Sequence, residues 1–361
     1  MPLIVFVLSS HGLGHVTRQI ALKDELLTLD PAIEILFVLT ENQEEMLHDS
    51  IHTNDRVHVE YIPITPQLTM EDWTKVDIES TAESFQRFWE WETQIRDDTE
   101  WGRILQNADL IINDIECVHN PIATKMRIPI INISNFTWSD ILENLGFTEL
   151  AQHYRSWESL ATYNLKLPFS TECKSFTDFE DVGILCRKFN PERVRQIASQ
   201  SKLPKVLLSY SHADFDFDIV GLIKELDNRK IKLVVHERLL PESFDPDEFN
   251  AIVISEGIED IHNYVAAVDL VISKLGYGII SESITSGTPI LYWVREGYYE
   301  DEIMSTAITG ERGREIEHTI STFDLADLIE KWAHHSFATV QNDSLLIAKK
   351  VLSILYSDLD Q

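Results

Sequence analysis

The chain has 361 residues, enough for two domains, each with its own buried core. Its 60 acidic residues against 30 basic ones leave a formal charge of -30, which argues against nucleic acid or an anionic membrane surface as a partner and makes any phosphate site a local exception. Hydrophobic residues at 44% and charged ones at 25% argue against disorder, and 3 scattered cysteines, Cys117, Cys173 and Cys186, against a disulfide framework or a zinc site. Free thiols in a reducing, cytoplasmic compartment are expected.

In chain order, the opening apolar run Leu3 to Leu8 lacks a basic n-region and breaks at Ser9, so it reads as a buried strand and not a signal peptide. Further strands are expected at Ile33 to Leu39, Val57 to Pro63, Leu110 to Ile112 and Ile128 to Ile133. They are separated by the amphipathic stretch Val16 to Leu29 and by a polar, aromatic stretch from Ile78 to Leu105. Continuous apolar runs mark strands covered on both faces. After Pro168 the chain turns polar, and the same alternation restarts with Val206 to Tyr210, Ile231 to Val235, Ala251 to Ile254, Leu270 to Ile272 and Ile290 to Trp293. Helices are expected at Asp324 to His334 and Thr339 to Tyr356. The fold class is therefore α/β, with two doubly wound Rossmann-like domains facing a central cleft. The expected division is 1–170 for the first domain, 171–195 for a linker, 196–338 for the second domain, and 339–361 for a terminal helix able to pack back on the first. No run approaches the ~20 apolar residues needed to span a bilayer, so no stable membrane insertion is expected.

Two loops carry chemistry. The first strand opens into Ser9-Ser-His-Gly-Leu-Gly-His-Val-Thr-Arg18, where Gly12 and Gly14 allow a tight turn and His15 stands at a helix N-terminus, whose positive dipole end favours a neutral, basic imidazole. On the glycine pattern alone the loop reads equally well as a turn with solvated histidines. A dehydrogenase fingerprint is disfavoured, because Thr17 takes the third glycine position and no acidic residue closes the second strand. Asp114, at the end of the fourth strand, can lie beside this loop and orient His15, or can cap the following helix. In the second half, Leu270-Val-Ile-Ser-Lys-Leu-Gly-Tyr-Gly-Ile-Ile-Ser-Glu282 is a strand, a loop and the start of a helix that ends near Gly287. The helix N-terminus at Gly276 and Gly278 suits an anion. Lys274 adds a cation for phosphate, while Glu282 and the stretch from Arg295 to Glu302 add carboxylates for hydroxyls, a combination that suggests a nucleotide sugar. Arg295 serves either the phosphate or a pair with Glu296.

These motifs resemble the two-domain GT-B glycosyltransferases, the set that includes plant and bacterial UDP-glycosyltransferases and the peptidoglycan N-acetylglucosaminyltransferase MurG. The string Ser273 to Glu282 with Tyr292 to Glu302 is closer still to the glycosyltransferase-like segment of plant arabinose kinases. The resemblance implies transfer of a sugar from a nucleoside diphosphate sugar, UDP or dTDP, to the hydroxyl of a small-molecule acceptor, with inversion. His15 would be the base and Asp114 its partner, with His11, Gly12, Gly14 and Arg18 on the acceptor-side loop. Ser209, Lys274, Gly276, Gly278, Glu282, Arg295, Asp301 and Glu302 would hold the donor, with no cofactor and no metal. Lys274 stands where the set has His and Glu302 where it has Gln; the first swap keeps a phosphate partner, whereas the second adds a charge near the sugar. Acids at Asp214, Asp216 and Asp218, after Ser209-Tyr-Ser-His212, read as a solvated loop and helix cap more readily than as a metal site. Trp73, Trp89, Trp91, Trp101, Trp138 and Trp157 divide between core and an apolar acceptor surface. Two other readings share the architecture: a nucleotide-sugar epimerase and a non-catalytic nucleotide-sugar-binding protein.

Overall fold

The computed structural model describes residues 1–62, 65–94, 99–210, 215–245, 249 and 251–359. Pro63 at the end of an expected strand, residues 95–98 of the expected Ile78 to Leu105 stretch, and His212 and Asp214 of the acidic loop lie outside the described residues.

The chain divides into two compact units, one formed by residues 1–69, 77–187 and 342–361, the other by 70–76 and 188–341. The first holds a sheet of order Val57–Tyr61, Glu34–Leu39, Leu3–Leu8, Leu110–Asp114, Ile130–Ser134, Tyr163–Lys166, Glu180–Asp181, parallel throughout. The second holds Ala251–Ile254, Lys232–His236, Lys205–Ser209, Leu270–Lys274, Ile290–Trp293 and Gly313–Glu315, again all parallel. Each sheet starts at its middle and reverses direction of growth there, so each has one switch point, where the loops after two adjacent strands diverge to opposite faces and leave a crevice at the carboxyl ends. In the first unit that point lies between Leu3–Leu8 and Leu110–Asp114, and in the second between Lys205–Ser209 and Leu270–Lys274.

The central strands are apolar at every position because helices cover both faces: Ile4 to Leu8 and Leu270 to Ile272 are fully buried. Thr40 starts the helix Glu41–Met46 with a capping box, its side chain accepting the Gln43 amide while Gln43 reaches back to the Thr40 amide. Asp218 caps Ile219–Asn228 through the Gly221 amide at 2.8 Å. Gly287 closes Tyr277–Ser286 at φ +78, the left-handed terminus that glycine takes without steric cost.

Three features depart from the expected layout. Residues 171–187 belong to the first unit and not to a linker. The terminal helix starts later than expected, at Ser344, and packs on Gly14–Leu29 in that same unit. The hairpin of Met70–Asp72 and Lys75–Val76 joins the second unit, although the chain on both sides of it is first-unit. Trp73 at its tip meets Tyr210, Phe215, Trp293 and His318 edge-on, with ring centroids 5.1 to 5.9 Å apart. Backbone bonds join Glu296 N–H to Thr74 O at 2.7 Å and Val76 N–H to Glu296 O at 3.0 Å. All three cysteines are buried free thiols. Among the described residues no helix is long and apolar enough to cross a membrane.

Candidate functional site

In the first unit, Leu8 pairs in register with Asp114, so the loop after Leu3–Leu8 leaves the sheet beside that carboxylate. Gly12 makes the turn at φ +76, and the helix Gly14–Leu29 begins at once, carrying His15, Arg18 and Gln19 on one face. All three converge on Asp114. His15 Nδ1 lies 2.8 Å from Asp114 Oδ1, Arg18 Nε donates to Oδ2 at 2.6 Å, and Gln19 Nε2 donates to the same oxygen at 2.6 Å. Arg18 Nη2 also donates to Oδ1, completing a two-toothed ion pair, and Nη1 donates to Asn135 Oδ1 at 2.6 Å. Asp114, Gln19 and Asn135 are fully buried, and Arg18 is nearly so. The backbone just past the carboxylate is held at φ +68 by Ile115, a strained position for a β-branched residue.

Burial alone would raise the Asp114 carboxyl, but the Arg18 cation and His15 outweigh it and hold the group down to about 2. A fixed carboxylate accepts from His15 Nδ1–H, which leaves Nε2 as the basic nitrogen. Arg18 Nη2 also lies 3.1 Å from Nδ1, but that nitrogen has a single site to offer and the carboxylate is the stronger claimant. Asp114 does not cap a helix: the next one, Asn120–Met126, starts at His119 without a side-chain cap. His11 stacks edge-on with Trp138 at 5.3 Å and lies 6.2 Å from the His15 ring. The loop is braced from two sides, by Gln43 Nε2 donating to Ser9 O and Gly12 O, and by Ser10 Oγ donating to Thr65 O at 2.8 Å. Gln19, Asn135 and Gln43 were not expected here. Only Gln43 left a sequence trace, the Thr-x-x-Gln capping pattern.

Beyond Thr65 lies a cavity of about 440 Å³, lined among others by Pro66, Gln67, Arg87, Phe88 and Trp91. Of the tryptophans considered for such a surface, Trp91 alone lines it. Trp101 and Trp138 are core, Trp157 packs partly buried against the core, Trp89 stacks on His153 at 3.8 Å, and Trp73 belongs to the second unit.

In the second unit, Ser209 and Ser273 pair across the switch point, with Ser273 Oγ donating to Ser209 O at 2.7 Å. Lys274 ends its strand, Gly276 opens the helix Tyr277–Ser286, and the first amide with a helical acceptor is that of Ile280, bonded to Gly276 O at 3.1 Å. No acidic residue occupies the first turn, the charge pattern of a helix start that suits an anion. Gly276 has φ -176, which any residue adopts, and a Cβ placed there would meet nothing within 4 Å. Neither backbone nor packing requires glycine at this position; its effect is to keep the helix start open. Gly278 lies inside the first turn, and Glu282 is buried on the same helix.

Desolvation and the nearby Arg295 cation push the Lys274 ammonium down to about 7. Arg295 is tied to Asp301 and not to Glu296: its backbone N–H, Nε and Nη2 donate to the Asp301 carboxylate at 3.0, 2.8 and 2.6 Å, and its guanidinium lies over the Tyr298 ring. Burial disfavours the Arg295 charge, but Asp301 more than restores it, so its pKa is raised. Asp301 is fully buried with both oxygens engaged, so the expectation that it meets sugar hydroxyls gives way to a role in holding Arg295; Glu302, next to it, is exposed. Ser209 stays partly exposed at its strand end.

Asp114→Asn should cost about 3–5 kcal/mol of unfolding free energy, because the buried Arg18 loses its counter-charge. The folded carboxyl is depressed to about 2. Its stabilisation is therefore present above the ordinary carboxylate range and lost as pH falls from about 4 to 2. Urea unfolding across that interval should show the acid loss in the wild type and a blunted loss in Asp114→Asn.

No family model matches the chain. L-arabinokinase of Arabidopsis thaliana is 21% identical over 315 residues, which cover 82% of this chain and 28% of the relative, so the chain spans little more than a quarter of that protein's length. Among solved structures, a UDP-glucosyltransferase from Polygonum tinctorium, solved with 3,4-dichloroaniline, superposes with TM-score 0.65 at 12% identity over 99% of both chains. The glycosyltransferase VinC in complex with dTDP superposes with TM-score 0.62 at 14% identity, over 99% of this chain and 95% of that one. The chain has the GT-B fold of the nucleotide-sugar glycosyltransferases.

Proposed function

We propose that the protein is a glycosyltransferase that moves a sugar from a nucleoside diphosphate sugar, UDP- or dTDP-linked, to an acceptor hydroxyl with inversion at the anomeric carbon. The observation that carries this reading is the buried set of His15, Asp114, Arg18 and Gln19 at the first switch point of a GT-B fold. A histidine fixed through Nδ1 by a carboxylate that stays ionised is built to accept a proton at Nε2 and to hold the resulting charge. In this mechanism His15 takes the acceptor hydroxyl proton as the oxygen attacks the anomeric carbon. Asp114 fixes the tautomer and stabilises the imidazolium, and Arg18 with Gln19 keeps Asp114 ionised and in place. The diphosphate leaves with its negative charge on the amides at the start of Tyr277–Ser286 and on Lys274. Glu282 takes the ribose hydroxyls and Glu302 the sugar, while Arg295, locked by Asp301, sets the positive field around Lys274. The cavity at Thr65, Phe88 and Trp91 is the seat we assign to a flat or apolar small-molecule acceptor. The likeness to solved nucleotide-sugar glycosyltransferases supports this reading, and no resident metal or cofactor has a part in it.

Two experiments test the donor half. Thermal-shift measurements on the purified chain against UDP, dTDP, GDP and their sugars should show stabilisation by one base, lost in Glu282→Ala. Gly276→Val should unfold within about 0.5 kcal/mol of the wild type, since a Cβ there meets nothing within 4 Å, yet bind the diphosphate at least about tenfold more weakly. No stabilisation by any nucleotide, or full affinity in Gly276→Val, would remove the donor site. Lys274 gives the pH signature. Its ammonium is held down to about 7. A bound phosphate raises that value, so binding near pH 8 should take up protons, and affinity should fall as pH climbs above 7. Calorimetry of UDP binding in buffers of different ionisation enthalpy should show this uptake in the wild type and lose it in Lys274→Met.

A further inference from the structure

We propose that Glu44, His48 and His52 form a binding site for one divalent transition-metal ion, zinc in its ligand preference, on the surface of the first unit. The three residues follow one another at intervals of four, Glu44 in the helix Glu41–Met46, His48 opening the turn His48–Ile51 just after the break at Leu47 (φ -134), and His52 capping it; Ile51 N–H donates to Leu47 O and His52 N–H to His48 O, both at 2.9 Å. Their ligand atoms all lie within 4.8 Å of one another. His52 Nε2 is 2.8 Å and His48 Nε2 3.7 Å from Glu44 Oε1, and the two imidazole rings are 4.7 Å apart. Metal–ligand bonds of about 2.0–2.1 Å at a tetrahedral centre put neighbouring donors about 3.3 Å apart, midway between these separations. Two imidazoles and one carboxylate are a donor set for zinc, cobalt or nickel, with a fourth position left for water.

The surroundings favour a cation and fix the ligands. Glu41, Glu45 and Glu44 all bear electrostatically on the neighbouring Tyr61, whose hydroxyl also hydrogen-bonds Glu44, and Asp49 lies 3.2 Å from His48 Nδ1. An outer carboxylate on the remaining imidazole nitrogen raises ligand basicity and orients the ring. Below the site, the fully buried Lys23 donates to Ser50 O at 2.7 Å and Thr53 Oγ1 at 2.8 Å, pinning the turn that carries His52. Gln43, beside Glu44, is the residue that braces Ser9 and Gly12, so an ion here would stiffen the support of the His15 loop.

The test is titration of the whole, chelator-treated chain with Zn²⁺ by calorimetry and with Co²⁺ by visible absorption. The wild type should bind one equivalent with a saturable tetrahedral-type Co²⁺ spectrum and a raised melting temperature. The His48 side chain is 60% exposed and that of His52 33%, so His48→Ala with His52→Ala should fold normally by circular dichroism. In that variant the affinity for the strong site should fall at least about a hundredfold, and the thermal shift should vanish; Glu44→Gln should weaken binding to a smaller degree. Absence of a saturable equivalent in the wild type, or its persistence in the double variant on some other of the chain's 13 histidines, would overturn the assignment.

Discussion

Asp114 is a fully buried charge, and the first unit's chemistry depends on how that charge is met. An ionised carboxylate without partners cannot be kept in a protein interior; it would take a proton instead. Here Arg18, Gln19 and His15, on successive turns of one helix, fill its acceptor sites, and Asn135 takes the remaining arm of Arg18. The arrangement is costly to break and therefore exact in geometry: the arginine neutralises the aspartate, and the histidine inherits a fixed hydrogen-bond acceptor. Because Arg18 already compensates the charge, His15 gains orientation from Asp114 more than raw attraction.

The second unit solves the opposite problem. In a chain with a formal charge of -30, it gathers a short list of positive elements at one switch point: a helix start free of acidic residues in its first turn, Lys274, and Arg295 held by Asp301. Burial and the Arg295 cation hold the Lys274 ammonium down to about 7. Arg295 stays charged throughout because its aspartate is buried with it.

Much of this was readable from residue order. Apolar runs such as Leu3 to Leu8 and Leu270 to Ile272 announce strands covered on both faces, and the alternation announces the doubly wound sheets that carry them. The nearness of Asp114 to His15 follows from strand order, since the fourth strand pairs with the first. Other parts were not legible. Gln19 and Asn135 carry no local signature, because what makes them matter is the three-dimensional approach of a helix and a distant strand end. Arg295 reads in the sequence either as a phosphate partner or as paired with Glu296, yet the backbone of residue 296 pairs with the Met70–Val76 hairpin, while residue 301, in the first turn of the helix Tyr299–Ile308, takes the guanidinium. The Met70–Val76 hairpin was missed for a simpler reason: strands of 3 and 2 residues hold no periodicity, and Trp73 shows its partners only in the folded second unit.

The central claim is that His15 takes a proton from an acceptor hydroxyl while a nucleotide sugar is cleaved. Its most direct test is mass spectrometry of the wild-type chain and His15→Ala, each incubated with the sugar nucleotide it binds and a panel of phenolic and alcohol acceptors. The account predicts a glycosylated acceptor and one equivalent of free nucleoside diphosphate from the wild type, and a rate lower by about 10²–10⁴ from the variant with nucleotide binding intact. Product formed equally fast by His15→Ala, or a donor converted to an isomeric nucleotide sugar without any acceptor, would contradict it.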